Sequence, residues 1–233
     1  MEENKQLRFT NQTISIPFLL VFICWFVYWL EIKFGWNFNT FGIYPRTFSG
    51  LKGVIFAPFI HSDTRHLFNN SAPLIVLLIS LFLFYKKVAW KVLLYGTFLT
   101  GITTWLIGRP SYHIGASGII YLLFSFIFFS GIIKKHYRLI ALSLIVIFLY
   151  GSMIWYVLPI KEELSWEGHL SGFLTGLFFA FLYKKEGIVK KDIEFVKTDF
   201  DDLFDENGNF TPNIEEKEKQ QSLNYQYFYK EKE

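Results

Sequence analysis

Only one cysteine, Cys24, occurs among the 233 residues. A single thiol excludes a disulfide framework and any zinc site built on cysteine. Acidic side chains are missing from every long apolar stretch: residues 16–30, 67–85, 88–107, 117–133, 139–158 and 168–183 contain no Asp or Glu. A carboxylate inside those stretches is therefore unavailable to complete a catalytic triad. No soluble-looking segment of domain size lies between them. Basic residues are not gathered into one patch: the sequence pI of 8.8 comes from lysines flanking the apolar runs. A nucleic-acid partner is excluded on that pattern.

What is present is apolar and aromatic: 52% hydrophobic and 21% aromatic residues. A membrane-spanning helix needs roughly 20 mainly apolar residues. The six stretches approach that length, and tilt absorbs the shortfall. The expected fold is all-α, a polytopic bundle of six transmembrane helices over residues 16–185. Residues 1–15 form a cytoplasmic N-terminal segment, and residues 186–233 a polar, disordered cytoplasmic tail. Lys5 and Arg8 precede the first stretch; Lys86, Lys87 and Lys91 follow the second, Lys134, Lys135 and Arg138 the fourth, and Lys184 and Lys185 the sixth. With six spans these groups share one side, the cytoplasmic side by the positive-inside rule. Lys33, Arg46, Lys52 and Arg65 in the first outer loop vote against it without reversing the balance. Both termini are then cytoplasmic, in a plasma (inner) membrane. "WLEIKFGW" after the first stretch is bulky and charged, so the stretch is expected to be an uncleaved span and not a signal peptide.

Two connecting segments carry more than a turn. The outer loop over residues 31–65 mixes aromatics, Gly and Pro with short apolar runs, which suits the membrane interface. The segment "VLPIKEELSWEG" before the sixth stretch is a candidate lid, with Pro159 ending a helix and Trp166 at the interface. In the tail, "DFDDLFDENG" resembles an acidic calcium loop but lacks EF-hand ligand spacing.

Polar groups at membrane depth are costly and need a reason. His66 and Asn70 head the second stretch, Ser117 the fourth and His169 the sixth, so all four lie at similar depth on one side. His66 and Asn70, four apart, sit within about 40° of each other around a helix. His169, Gly172 and Gly176 fall within about 60° by the same geometry, and G-x-x-x-G admits a close partner backbone. Serine becomes a nucleophile when a neutral imidazole takes its proton, and acyl transfer needs donors for the oxyanion. Ser117 as nucleophile, His169 as base, and His66 with Asn70 as oxyanion donors fit those roles. Each also has a packing role open to it, since Ser and Gly are common at helix contacts. Glu167 adjoins His169 but points elsewhere on a helix, so a dyad is implied. A metal site from His61, His66, His113 and His169 is not expected: His61 and His66, five apart, fall on different helix faces, and no H-E-x-x-H is present.

Together "HSDTRHLFNN", "GASG" followed by Tyr121, and "GHLSGFLTG" resemble the rhomboid family of intramembrane serine proteases. The likeness covers roughly residues 16–183. The family's H-x-x-x-x-H-x-x-x-N element matches His61, His66 and Asn70. Its G-x-S-G matches residues 115–118, with Ser117 the nucleophile, and its last-span histidine with G-x-x-x-G matches His169, Gly172 and Gly176. Tyr121 stands where the family has a tyrosine stacked on the catalytic histidine. The resemblance implies cleavage of transmembrane protein substrates within the lipid bilayer, near the top of the substrate helix, with no cofactor and no metal. One departure is Lys52-Gly53 in the first loop where many members have Trp-Arg, with Arg46 nearby. Inactive relatives usually lack the Ser or the His, and both are present here. The alternative is a catalytically inactive rhomboid-like membrane-protein binder or chaperone. A transporter would place polar groups deeper and on more helices.

Overall fold

The computed structural model describes residues 9–149, 157–159, 165–187 and 199–211, in two units divided at Lys190 and Lys191. The first unit is all-helical: α1 (Asn11–Phe34), α2 (Gly53–Phe56), α3 (Thr64–Phe84), α4 (Ala89–Ile107), α5 (Ser117–Ile133), α6 (Tyr137–Leu149) and α7 (Trp166–Leu182). Among the described residues no sheet forms, only isolated bridges. Helices α1 and α3 are long and apolar enough to cross a membrane. Helices α5 and α7, of 17 residues each, are about 25 Å long at 1.5 Å per residue.

Surface chemistry explains why both faces of α1 are apolar. One stripe, Thr13, Pro17, Val21 and Cys24, is buried, and α1 packs mainly on α3. The opposite face exposes Phe18, Phe22, Phe26 and Trp29. Leu94 and Phe98 of α4 and Leu174, Phe178 and Phe181 of α7 are exposed in the same way. Apolar surface on that scale belongs against hydrocarbon, where the helices satisfy their own backbone groups. The molecule is a membrane protein.

Helix α5 is the centre. Every residue from Ile119 to Ile127 is buried, so α5 has no solvent- or lipid-facing side over that length. Its most extensive partner is α7, and glycines make that possible. A Cβ at Gly172 would run into the Gly118 carbonyl of α5, and one at Gly176 into the Leu122 carbonyl. Ser125 Oγ donates to the Phe173 carbonyl at 2.7 Å across the same seam.

The helix ends differ from the sequence expectation where capping decides them. The first helix begins at Asn11 because Thr10 and Thr13 form a reciprocal capping box, and stops at Gly35, whose φ of 65° is left-handed. Helix α3 begins at Thr64, capped by Asp63, whose Oδ1 accepts the His66 N–H at 2.8 Å. The outer loop folds into short 3-10 turns around α2. It is stitched to the end of α4: Arg46 Nη1 donates to the carbonyls of Gly108 (2.7 Å) and Leu106 (3.2 Å), and Trp105 Nε1 donates to the Thr47 carbonyl at 2.8 Å. Those bonds hold the loop whose expected Trp-Arg pair is replaced by Lys52-Gly53.

In the second unit, residues 199–211 make a local turn with a Phe204–Phe210 bridge. Asp205 holds it, accepting from the Asn207 N–H, the Asn209 N–H and the Asn209 side-chain amide. Those bonds keep its carboxyl below the usual range. The remainder of the tail after residue 187 lies outside the described residues.

Candidate active site

Two helix N-termini meet at the site. Ser117 is the first residue of α5, after Ala116 as N-cap, and no side chain caps that end. Its hydroxyl is thus not consumed by local capping, the commonest use of a serine there. His169 lies in the first turn of α7, buried to 5% exposure. Its Nε2 stands 2.9 Å from Ser117 Oγ. One turn below, the Tyr121 ring stacks on the His169 imidazole, with centroids 4.3 Å apart and planes 21° from parallel. Stacking fixes the ring plane, so Nε2 stays directed at the hydroxyl. The glycine seam brings α7 close enough for this to happen.

His66 and Asn70 of α3 lie against Gly115, two residues before Ser117. Gly115 separates them from the backbone leading to the serine: a Cβ there would be 2.8 Å from His66 Nε2 and 3.5 Å from Asn70 Nδ2. Gly115 also has a φ of +104°, so both space and backbone require glycine. Asn70 is buried, and its Nδ2 has no hydrogen-bond partner among the described residues. It is a donor held ready for an acceptor. His66 is tied differently. Ser62 Oγ donates to Asp63 Oδ2 at 2.8 Å and lies 3.2 Å from His66 Nδ1. With Ser62's proton on Asp63, Nδ1 is the donor of that pair and a neutral ring leaves Nε2 as an acceptor. Nε2 becomes a donor when Ser62 turns its proton to Nδ1 or the ring takes up a second proton. Asn70 is therefore the unconditional donor and His66 a switchable one.

His61 corrects one step of the sequence argument. It precedes α3 and is not on the helix, and its ring contacts that of His66 edge-on, with centroids 5.0 Å apart. The expectation of different helix faces was wrong because α3 begins only after its N-cap Asp63, which leaves His61 in the preceding loop. His61 Nε2 lies 3.5 Å from the Ala116 N–H, beside the nucleophile, and the side chain is 2% exposed. Burial pushes its pKa down to about 3, reinforced by His66, with the Phe59 carbonyl offsetting only part. Among the described residues, no three His, Cys, Asp or Glu side chains gather as metal ligands.

Other contacts at the site were not visible in the sequence. Glu167, set aside as pointing away from the dyad, is buried to 1% and accepts the Arg109 backbone N–H at 3.1 Å. His113 Nδ1 lies 2.6 Å from Ser165 Oγ. A cavity of about 40 Å³ reaches Ser117 from the α4 side, lined in part by Thr97, Thr100 and Thr104. Thr104 donates to the Thr100 carbonyl, whereas Thr97 and Thr100 have no partner for Oγ1 among the described residues. The pocket is otherwise largely apolar, but those two hydroxyls give it polar sites, and it is roomy enough for water. The i, i+3, i+7 spacing of these threonines on α4 was the available signal. In the candidate lid, residues 160–164 lie outside the described residues.

The sequence profile of the rhomboid domain matches residues 49–186, which includes both members of the dyad. An uncharacterized protein of Mycobacterium tuberculosis and one of Mycobacterium bovis are each 36% identical over 157 residues, covering 60% of this chain and 62% of theirs. An uncharacterized protein of Mycobacterium leprae is 34% identical over 149 residues, covering 57% of this chain and 56% of its own. The chain thus spans about three-fifths of the length of the curated relatives it matches. With the domain matched over more than half of its length, the chain belongs to the rhomboid family, whose members are generally intramembrane serine proteases.

Proposed function

We propose that this chain is an active intramembrane serine endopeptidase that cleaves transmembrane segments of membrane proteins. The observation that carries it is the 2.9 Å approach of His169 Nε2 to Ser117 Oγ, in a ring plane set by Tyr121. His169 takes the Ser117 proton as Oγ attacks the scissile carbonyl carbon. Asn70 Nδ2, and His66 Nε2 when it carries a proton, donate to the oxyanion, together with N–H groups of the first turn of α5 that no carbonyl precedes. His169 then protonates the leaving amine nitrogen, leaving an acyl-serine. Water from the threonine-lined cavity attacks that ester as His169 accepts its proton; the acyl–Oγ bond then breaks, His169 returns the proton to Ser117 Oγ, and the new carboxyl terminus leaves. The steps proposed here run on the Ser117–His169 pair and call for no cofactor or metal.

A substrate helix hides its carbonyls in its own hydrogen bonds, so the cut is expected where small or helix-breaking residues let the strand unwind. The chain is taken to cross a plasma (inner) membrane six times with both termini cytoplasmic, which puts the site near the outer face. The test is co-expression with a panel of transmembrane reporters in one membrane. Cleavage by the unmodified chain should vanish with Ser117→Ala and with His169→Ala at equal expression. Cleavage that survives either change overturns the dyad.

A further inference from the structure

Acidic residues in the first turn of a helix are ordinarily exposed, where they complement the helix dipole. Glu167, the second residue of α7, is instead 1% exposed, and it is the buried carboxyl side chain among the described residues. Burying such a group is costly unless it is bonded. Its Oε1 accepts the Arg109 backbone N–H at 3.1 Å and lies 3.7 Å from Arg109 Nε. Its Oε2 meets no donor among the described residues.

The Arg109 carbonyl is also held. It lies 3.1 Å from His113 Nε2. A carbonyl only accepts, so Nε2 carries the proton; in the neutral ring Nδ1 then accepts from the Ser165 hydroxyl at 2.6 Å. Burial keeps the His113 pKa below its ordinary value, which favours that neutral ring. Arg109 is thus gripped at both its N–H and its C=O. The two grips come from Glu167 and, through His113, from Ser165, which flank Trp166 at the start of α7. His113 is further fixed by paired backbone bonds to Ile43 of the outer loop, at 2.9 and 3.0 Å.

The two joined segments are those that deliver the dyad. His169 follows Glu167 by two residues, and Ser117 follows His113 by four. The glycines at 172 and 176 set how closely α7 approaches α5, but they lie one and two turns beyond the histidine's end. We propose that Glu167 and His113 are positioning residues, clamping the first turn of α7 to the α4–α5 loop so that His169 meets Ser117. This rests on the Ser117–His169 reading, and it adds a polar lock at the mouth of the site. Neither residue touches the reacting atoms; each acts through the place it gives His169.

The test uses the full chain in lipid, with Glu167→Leu, which removes both acceptor oxygens, and Glu167→Gln, which keeps one for the Arg109 N–H. Amide hydrogen exchange is followed at residues 109–113 and 166–169. In parallel, kcat and KM are measured on a transmembrane reporter, with labelling of Ser117 by a fluorophosphonate. In Glu167→Leu, local exchange should quicken by about tenfold or more while the core of α5 stays protected. Both kcat and the labelling rate should fall by about 10²-fold, the usual cost of a misplaced catalytic group, with KM unchanged. Glu167→Gln should recover most of that loss. Unchanged local exchange overturns the clamp even if Ser117→Ala is inactive. Loosening of every helix together, or a loss confined to KM, overturns it as well. If local exchange quickens but Ser117→Ala still cleaves, the clamp stands and the dyad reading fails.

Discussion

Replacing Gly172 with alanine adds one methyl group at the tightest point of the α5–α7 seam. A Cβ there would sit well inside contact distance of the Gly118 carbonyl oxygen and 3.1 Å from the Leu122 nitrogen. Both obstacles are backbone, so no side chain can swing aside. The helices must part by on the order of 1 Å to restore normal contact, and an overpacked core of this kind costs roughly 1–3 kcal/mol. Gly118 is the neighbour of Ser117, and His169 lies one turn from Gly172, so the displacement opens the 2.9 Å Ser117–His169 contact directly. A misplacement of about 1 Å can cost about 10²-fold in rate. Gly176→Ala is the internal control. Its Cβ also meets backbone, at Leu122 and Phe126, but a further turn from the dyad. The assay is cleavage of a fluorogenic transmembrane reporter by purified protein in lipid, with melting temperature measured on the same samples. Gly172→Ala should lose about 10²-fold in kcat, while Gly176→Ala, at similar loss of stability, should lose much less. Full activity of Gly172→Ala, or a larger kcat loss for Gly176→Ala, would refute the reasoning.

Asn70→Ala should lower kcat by about 10² to 10³, the cost of removing one oxyanion donor, with melting unchanged. His66→Ala should cost no more than Asn70→Ala, because its Nε2 proton is conditional on Ser62; a larger loss for His66 in a kcat comparison would reverse that ranking. Tyr121→Ala forfeits a stacking contact of roughly 0.5–1.5 kcal/mol and should slow turnover several-fold, and Tyr121→Phe, which keeps the ring on His169, should lose less. His61 should make the fold acid-labile. Its pKa of about 3 in the folded protein lies below the 6.5 of an unperturbed histidine. The unfolded chain therefore binds the proton first, and stability is complete above the unfolded value and declines from there toward pH 3. The largest slope from one such group is about 1.4 kcal/mol per pH unit. Thermal melts against pH should lose that component in His61→Gln, and an unaltered slope would mean the acid sensitivity lies elsewhere.

The candidate site was legible because hydroxyl, amide and imidazole groups stand out inside apolar runs. His66, Asn70, Ser117 and His169 each head a stretch, and the stretches start on one side. The pairing of Gly172 and Gly176 with His169 on one helix face followed from 3.6-residue periodicity alone. Helix ends were less legible, since capping sets them: Asp63 starts α3 three residues before the apolar run, and His61, two residues ahead of that cap, stays off the helix and against His66. Least legible were contacts between segments distant in the chain. Nothing local to Glu167 indicates that it bonds a backbone amide 58 residues earlier, or that Arg46 caps α4 some 60 residues later. Periodicity reports which face of a helix is buried, not which loop folds over its end.

The most direct measurement is covalent trapping at the serine in the purified chain, reconstituted into liposomes with one transmembrane reporter. A fluorophosphonate should leave its adduct on Ser117 by peptide mass spectrometry. Adduct formation and loss of reporter cleavage should advance at the same rate, and His169→Ala should abolish both. An adduct on another serine with cleavage lost in step, or cleavage that continues once Ser117 is fully modified, would contradict the Ser117–His169 mechanism.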